Sequence, residues 1–239
     1  MKKLLLIYIF VVINIFPINE TIYKLNQIDQ SEDAFKGDWN RLKRQTASAG
    51  VLSLGTFGFF YAFKDHVKSW DTDASSFDEM FQVWKKNIKV GPVWDHSQFQ
   101  TNFLAHPYVG SIYYIAARKS NFSQFESFLY SATISTFLWE YGIESFVEPP
   151  SIQDLTITPI VGSIFGEYLY NIEKMIIAND GKVGDSRLWG KLSLFFIDPI
   201  GSTANIIGLK DKEVMGYWNF SFDEKKEING LGINVVGTF

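Results

Sequence analysis

Apolar residues dominate the middle of this chain in long segments that end at proline, glycine or short polar stretches. Three of these segments follow one another closely, at residues 107–119, 122–147 and 159–178. The first opens on Pro107, the second stops before Pro149, and the third follows Thr158. Because proline favours the first turn of a helix and threonine favours its N-cap, these signals predict three helices. They would form a helical bundle or a membrane-embedded set of helices in a mainly α protein.

Residues 46–63 form an earlier apolar segment without a charged side chain. Its length is borderline for crossing a bilayer, which takes about 20 residues. We expect a buried or membrane-facing helix, with a spanning helix as the narrower alternative. Ala47, Gly50 and Gly58 would let such a helix pack closely against a neighbour.

Beyond residue 179 the pattern changes to shorter, alternating apolar runs. Residues 214–222 and 228–239 are typical of two strands around the charged turn 223–227. Two strands cannot close a membrane barrel, which takes at least about eight. We therefore expect a short C-terminal β-hairpin that covers the helical block or pairs with something else.

The amino terminus has the layout of a secretory signal, in which Lys2 and Lys3 precede an uncharged apolar run at residues 4–16. Residues 19–21 lack the small side chains of a cleavage site, so an uncleaved anchor is the main alternative and a cytosolic strand the other. We predict an exported chain in four parts. In order these are a signal peptide or anchor (1–20), an N-terminal helical region (21–92), a helical core (93–178) and a C-terminal extension with the hairpin (179–239).

Composition narrows the classes of protein and partner. The 239 residues include no Cys, and 26 acidic residues outnumber 22 basic ones. The lack of Cys excludes a disulfide-stapled domain and a Cys-ligated zinc domain, and the acidic balance argues against nucleic acid. With 46% hydrophobic and 17% aromatic residues, the chain is too apolar for a disordered protein. We expect membrane lipid as a partner and predict no cofactor.

Several ionisable residues stand inside the apolar segments, where each costs several kcal/mol unless it is paired. Glu140 and Glu144 are four residues apart and share a helix face. Two like charges so placed repel, so a cation, a shared proton or a donor such as His106 is expected between them. Asp154 follows Ser151 at the spacing of a capping box, which offers a purely structural explanation.

A column of serines occupies the same predicted helix, at Ser127, Ser131 and Ser135. In an α-helix, Ser135 lies about 140° around the axis from Glu140, so the serines and glutamates would not form one site. The column would instead let another helix approach closely, and the chain lacks the Gly-x-Ser-x-Gly motif of serine hydrolases.

The candidate site is therefore a polar group rather than a known motif. Its members are His106, Glu140, Glu144, Asp154 and Glu167. Each has a structural interpretation, in a buried hydrogen-bond network or a helix cap, and a chemical one, as general base, acid or metal ligand. Glu167 could equally lie on a solvated face. Arg118 and Lys119 are expected only to offset the dipole at the end of their helix.

At these positions the sequence resembles a bacterial family of domains of unknown function, DUF3943. The similar residues, within 93–175, are Asn102, His106, Pro107, Gly110, Tyr113, Tyr114, Arg118, Ser135, Trp139, Glu140, Tyr141, Glu144, Pro150, Ser151, Asp154, Thr158, Pro159, Gly162, Gly166 and Glu167. The resemblance implies an envelope protein of Gram-negative-type bacteria, in the periplasm or outer membrane, with a helical core. It supplies no activity. Many relatives look longer, with β-rich carboxyl-terminal parts.

Two functions compete on this sequence. The first is a non-enzymatic envelope protein, seated in or against a membrane, whose buried polar network fixes helix register. The second is a membrane-associated hydrolase or transferase on lipid or envelope material, with His106 as base and the carboxylates as acids or metal ligands. We favour the first, and a soluble periplasmic binding module ranks behind both.

Overall fold

The computed structural model describes residues 36–62, 76–94, 104–209, 214–222 and 228–237. Its helices are α1 (Trp39–Ala62), α2 (Phe77–Val90), α3 (His106–Lys119), α4 (Gln124–Ile134), a π-helix (Ser135–Ile143), a 3-10 helix (Glu144–Phe146), α5 (Ile152–Ala178), α6 (Arg187–Ile197) and α7 (Pro199–Ile206). The predicted mainly helical bundle is confirmed. The predicted signal segment lies outside the described residues.

The centre of the bundle is the crossing of α3 and α5, where the two backbones touch. A Cβ added to Gly162 would lie 2.8 Å from the Cα of Gly110, and one added to Gly110 would run into the carbonyl of Thr158. Ile115 and Ile176 are fully buried in the apolar core beside this crossing. Glycine at both positions therefore permits a contact that any larger residue would push apart.

Helix α5 begins earlier than the sequence predicted. Ser151 is its N-cap, with its Oγ accepting a hydrogen bond from the Asp154 N–H at 3.1 Å. Pro159 lies inside the helix, so the predicted start at Pro159 with Thr158 as cap is wrong. A proline in a helix removes one backbone hydrogen bond. The helix nevertheless continues through this point, where Thr158 and Pro159 are buried and the Thr158 backbone lies against Gly110 of α3.

The predicted helix 122–147 is present but changes its winding. It starts as α4 behind the capping box of Ser123 and Glu126, and continues as the π-helix. Side chains of α2 donate hydrogen bonds to backbone carbonyls of the π-helix and of the 3-10 helix that follows it. Trp84 Nε1 donates to Tyr141 O at 3.0 Å, and Asn87 Nδ2 donates to Ser145 O at 3.1 Å. Long π-helical stretches are rare and often mark functional sites.

The apolar segment 46–63 lies largely within α1, which turns Ser48, Ala49 and Ser53 into the bundle. No described atom comes within 4 Å of a Cβ placed on Gly50 or Gly58. The predicted close packing at these two glycines is therefore wrong, because the buried stripe of α1 runs through other positions. Among the described helices, none combines the length and hydropathy that crossing a membrane requires.

After the helices, the backbone has two extended segments, β1 (Val214–Phe222) and β2 (Ile228–Gly237). They pair antiparallel, with Trp218 opposite Ile233. This local pairing is no evidence that the segment belongs to the helical fold. The C-terminal hairpin, as a cover for the bundle or as a partner surface, stays a prediction.

Candidate functional site

Four helical elements bring a histidine and three carboxylates together in the interior, with Glu144 at the start of the 3-10 helix. His106 is the first residue of α3, Glu140 lies on the π-helix, and Asp154 lies in the first turn of α5. His106 Nδ1 is 3.8 Å from Glu140 Oε1 and 3.7 Å from Asp154 Oδ1. On the other side of the ring, Nε2 is 4.0 Å from Glu144 Oε1. These four residues, all buried, are called the polar cluster below.

The cap of α5 fixes the orientation of this cluster. Ser151 N–H donates to Glu140 Oε2 at 3.0 Å, whereas a full capping box would direct that N–H to the side chain of Asp154. The structural interpretation of Asp154 is thus half correct, because Ser151 caps the helix but Asp154 does not reciprocate. Its carboxylate turns to His106 instead.

Burial and like charge make the cluster hold its protons tightly. Burial raises the pKa of Glu140 to about 7 against the Ser151 N–H bond, which lowers it. Burial and the neighbouring Glu140 raise the pKa of Glu144 well above its usual value. The two side chains also hydrogen-bond to each other, which requires a proton on one of them. This geometry fits the shared proton that the sequence suggested.

Buried carboxylate oxygens of the cluster lack a hydrogen-bond partner among the described residues, and Glu140 Oε1 and Glu144 Oε2 are such oxygens. His106, Glu140 and Asp154 each offer one ligand atom, and the three atoms lie within 4.8 Å of one another. Of the described side chains, these three are therefore the ones whose atoms could share a metal ion.

The serine column packs as predicted, but one argument about it was wrong. Ser127, Ser131 and Ser135 are all buried, and Ser131 Oγ donates to Gly110 O of α3 at 2.8 Å. That bond confirms the close approach of a neighbouring helix. The 140° separation of Ser135 from Glu140 does not apply, because both residues lie in the π-helix. A winding with i to i+5 bonds returns five residues to nearly the same face.

Glu167 does not join the polar cluster, so its inclusion in the predicted site is corrected. It lies thirteen residues after Asp154 on the same helix, or about 20 Å along the axis at 1.5 Å per residue. Arg118 Nε donates to its Oε2 at 2.8 Å, and the Tyr114 hydroxyl donates to the same oxygen at 2.7 Å. Burial alone would raise the pKa of Glu167, but these bonds and the Arg118 charge lower it below its usual value.

Sequence reasoning also missed the second charged group, at the other end of α3. Lys119 Nζ donates to Glu173 Oε1 and to Asp198 Oδ2, both at 2.5 Å. Lys119 therefore forms ion pairs with the buried Glu173 and Asp198, and Arg118 with the partly exposed Glu167, beyond any effect on the helix dipole. The signal in the sequence was that α3 is apolar on all sides. Such a helix is surrounded by other elements, so the cations of its last turn must also lie in the interior. We call Arg118, Lys119, Glu167, Glu173 and Asp198 the ion-pair cluster.

The comparison with known proteins finds one family. The domain of unknown function DUF3943 matches residues 91–200. These residues run from the end of α2 into α7 and include every residue of the polar cluster and of the ion-pair cluster. No curated protein and no solved structure gives a significant match. Residues 91–200 of this chain, which form its helical core, therefore match the DUF3943 family.

Proposed function

We propose that this chain is a cell-envelope protein whose helical domain lies against a membrane, and that its polar cluster has a structural role. The observation that carries the second part is the convergence of α3, the π-helix and α5 on one buried cluster. Each of these elements contributes one side chain, and the 3-10 helix adds Glu144, so a shift of any one element along its axis would separate the partners. Buried polar groups left unmatched cost about 1 to 3 kcal/mol each, and more when charged. The cluster would thereby select one register for the bundle.

Exposed apolar side chains support the location against a membrane. Phe125 on α4 is 68% exposed, Phe137 on the π-helix 71% and Ile164 on α5 72%. On α6, Leu188 and Trp189 are also exposed. Large exposed apolar surfaces on a single chain mark sites that bind lipid or protein. Together with the predicted export segment, they favour membrane lipid as the partner.

Sedimentation with lipid vesicles tests the membrane part. The full chain is mixed with vesicles of phosphatidylethanolamine and phosphatidylglycerol, and the bound fraction is compared with that of the variant Phe125→Ser, Phe137→Ser, Ile164→Ser. We expect binding by the wild type and a loss in the variant, since three apolar contacts disappear. Thr133→Ser, at an exposed position of α4, is the matched control. Full recovery of the wild type in the supernatant contradicts the proposal.

A membrane-associated hydrolase or transferase is the second candidate. It is favoured by a histidine flanked by carboxylates on both ring nitrogens, an arrangement suited to a general base. It is weakened by the 7% exposure of His106 and by the engagement of Glu167 with Arg118. Glu140→Gln separates the two. Loss of cellular function at unchanged thermal stability would favour the enzyme, and retained function with altered stability would favour the structural role.

A further inference from the structure

We infer that the polar cluster binds one divalent first-row metal ion, with His106 Nδ1, Glu140 Oε1 and Asp154 Oδ1 as its ligands. This inference goes beyond the proposed function, because a structural cluster does not need a metal. It rests on the spacing of the three atoms, on one buried oxygen and on the residue behind the histidine.

The spacing fits a shared ion better than direct contacts. Hydrogen bonds between nitrogen and oxygen are about 2.7–3.2 Å long, whereas His106 Nδ1 lies 3.8 and 3.7 Å from the two carboxylate oxygens. Zinc binds nitrogen and oxygen ligands at about 2.0–2.2 Å. Two ligands at that distance, with angles near tetrahedral, are roughly 3.4–3.6 Å apart by the same geometry. The two distances from His106 Nδ1 are within a few tenths of an ångström of this spacing. The two carboxylate oxygens need only move closer together from a separation of at most 4.8 Å to share the ion.

The orientation of Glu140 supplies an independent observation. Its Oε2 is held by the Ser151 N–H, which fixes the plane of the carboxylate. Its Oε1 consequently faces His106, and it is a buried oxygen without a hydrogen-bond partner in the described part of the chain. A buried carboxylate oxygen without a hydrogen-bond partner costs free energy of folding. A cation at this point would supply the missing partner.

Glu144 stands where the supporting residue of a metal-bound histidine is found. A histidine that binds a metal through one ring nitrogen usually donates the N–H of the other to a carboxylate. Glu144 Oε1 lies on the Nε2 side of His106, opposite the two proposed ligands. Glu144 is thus a positioning residue, and a small closure of the 4.0 Å gap would form this bond.

The donor set indicates which ions to test. One imidazole and two carboxylates suit zinc, manganese or iron, whereas magnesium and calcium prefer oxygen ligands alone. Three protein ligands leave a coordination position for water. The ion would join α3, the π-helix and α5 at a single point.

Metal titration of the full chain tests the inference. The protein is stripped with a chelator, dialysed against zinc, manganese or magnesium chloride, and analysed for bound metal and for thermal unfolding. We expect one zinc or manganese ion per chain, a raised Tm with either, and little binding of magnesium. Cobalt provides a spectroscopic readout, because its visible absorption reports ligand geometry directly in the folded protein.

Variants locate the ion. Glu140→Gln and Asp154→Asn should each abolish the metal-dependent rise in Tm and the cobalt absorption bands. Glu144→Gln should keep the stoichiometry with an affinity about 10- to 100-fold lower, as expected of a supporting residue. Glu167→Gln, which lies outside the cluster, is the matched control and should bind like the wild type. If one ligand variant does not fold, the other still decides.

Two outcomes would overturn the inference. One is the absence of saturable zinc or manganese binding by the wild type, and the other is unchanged binding by both ligand variants. In either case the proposed structural role would survive if the same substitutions still altered stability in metal-free buffer. The two proposals therefore fail separately.

Discussion

The two ends of helix α3 both carry titratable side chains that face carboxylates, but the contacts at the two ends differ. Each end meets carboxylates from other elements, and all of them are buried except Glu167, which is partly exposed. At the last turn, Arg118 and Lys119 contact them at 2.5–2.8 Å. At the first turn, His106 faces three carboxylates at 3.7–4.0 Å. The ion-pair cluster is therefore closed by direct bonds, while the polar cluster is more open in its geometry and poorer in positive charge.

This difference assigns different roles to the two ends. The ion pairs of Arg118 and Lys119 connect α3 to α5 and to the start of α7, so the ion-pair cluster acts as a lock between these elements. A neutral or singly charged histidine cannot balance three carboxylates. The first turn must therefore hold extra protons, as the raised pKa of Glu144 indicates, or a cation. The same helix carries both arrangements about 18 Å apart, at 1.5 Å per residue.

Removing the lysine of the ion-pair cluster should have the largest effect on the free energy of unfolding. Lys119→Met leaves Glu173 and Asp198 buried beside each other without their cation. Breaking a buried pair in this way costs about 3–5 kcal/mol, to be measured by urea unfolding. Lys191→Met is the control, because Lys191 is exposed on α6 and should change stability by less than about 0.5 kcal/mol. Equal effects of the two variants would show that Lys119 is not a structural cation.

Between the two ends, the glycine contact should be the next most sensitive point. Gly110→Ala would drive its methyl group into the Thr158 carbonyl and should cost about 1–3 kcal/mol by overpacking. Gly50→Ala meets no described atom within 4 Å. There the better helix propensity of alanine should stabilise by about 0.5–1 kcal/mol. Thermal unfolding compares the two, and a stabilising Gly110→Ala would contradict the α3–α5 crossing.

A smaller effect should appear in the pH dependence of the stability that Glu167 contributes to the ion-pair cluster. Since the folded-state pKa of Glu167 lies below its usual 4.5, its ionised form stabilises the fold above that pH. The contribution is lost as pH falls through the lowered pKa. Glu167→Gln should therefore cost about 1 kcal/mol at neutral pH and progressively less below about pH 4.5. Urea unfolding from pH 7 to pH 3 measures this, and a difference that grows in acid would be inconsistent with it.

Local signals in the sequence were enough for part of this picture. Pro107 marked the start of α3, whereas the start of α5 was placed too late, at Pro159 instead of after Ser151. The predicted meeting of His106 with Glu140 and Glu144 rested on the cost of burial and on the repulsion of two like charges. The π-helix could not be predicted from local signals, because carbonyls of this segment and of the 3-10 helix after it bind Trp84 and Asn87 of α2, which is distant in the sequence. The position of Glu167 outside the polar cluster could not be predicted either, since it depends on how α3 and α5 are aligned.

The central claim is that the polar cluster acts as one energetic unit that joins three helical elements. A double-mutant cycle tests it most directly, with His106→Asn and Glu140→Gln made singly and together and their free energies of unfolding measured in urea. We predict a coupling energy of about 1 kcal/mol or more for this pair. The pair His106→Asn with Glu167→Gln changes the polar cluster and the ion-pair cluster, which lie at opposite ends of α3. Its effects should be additive within about 0.5 kcal/mol. Additivity of the first pair as well would contradict the account.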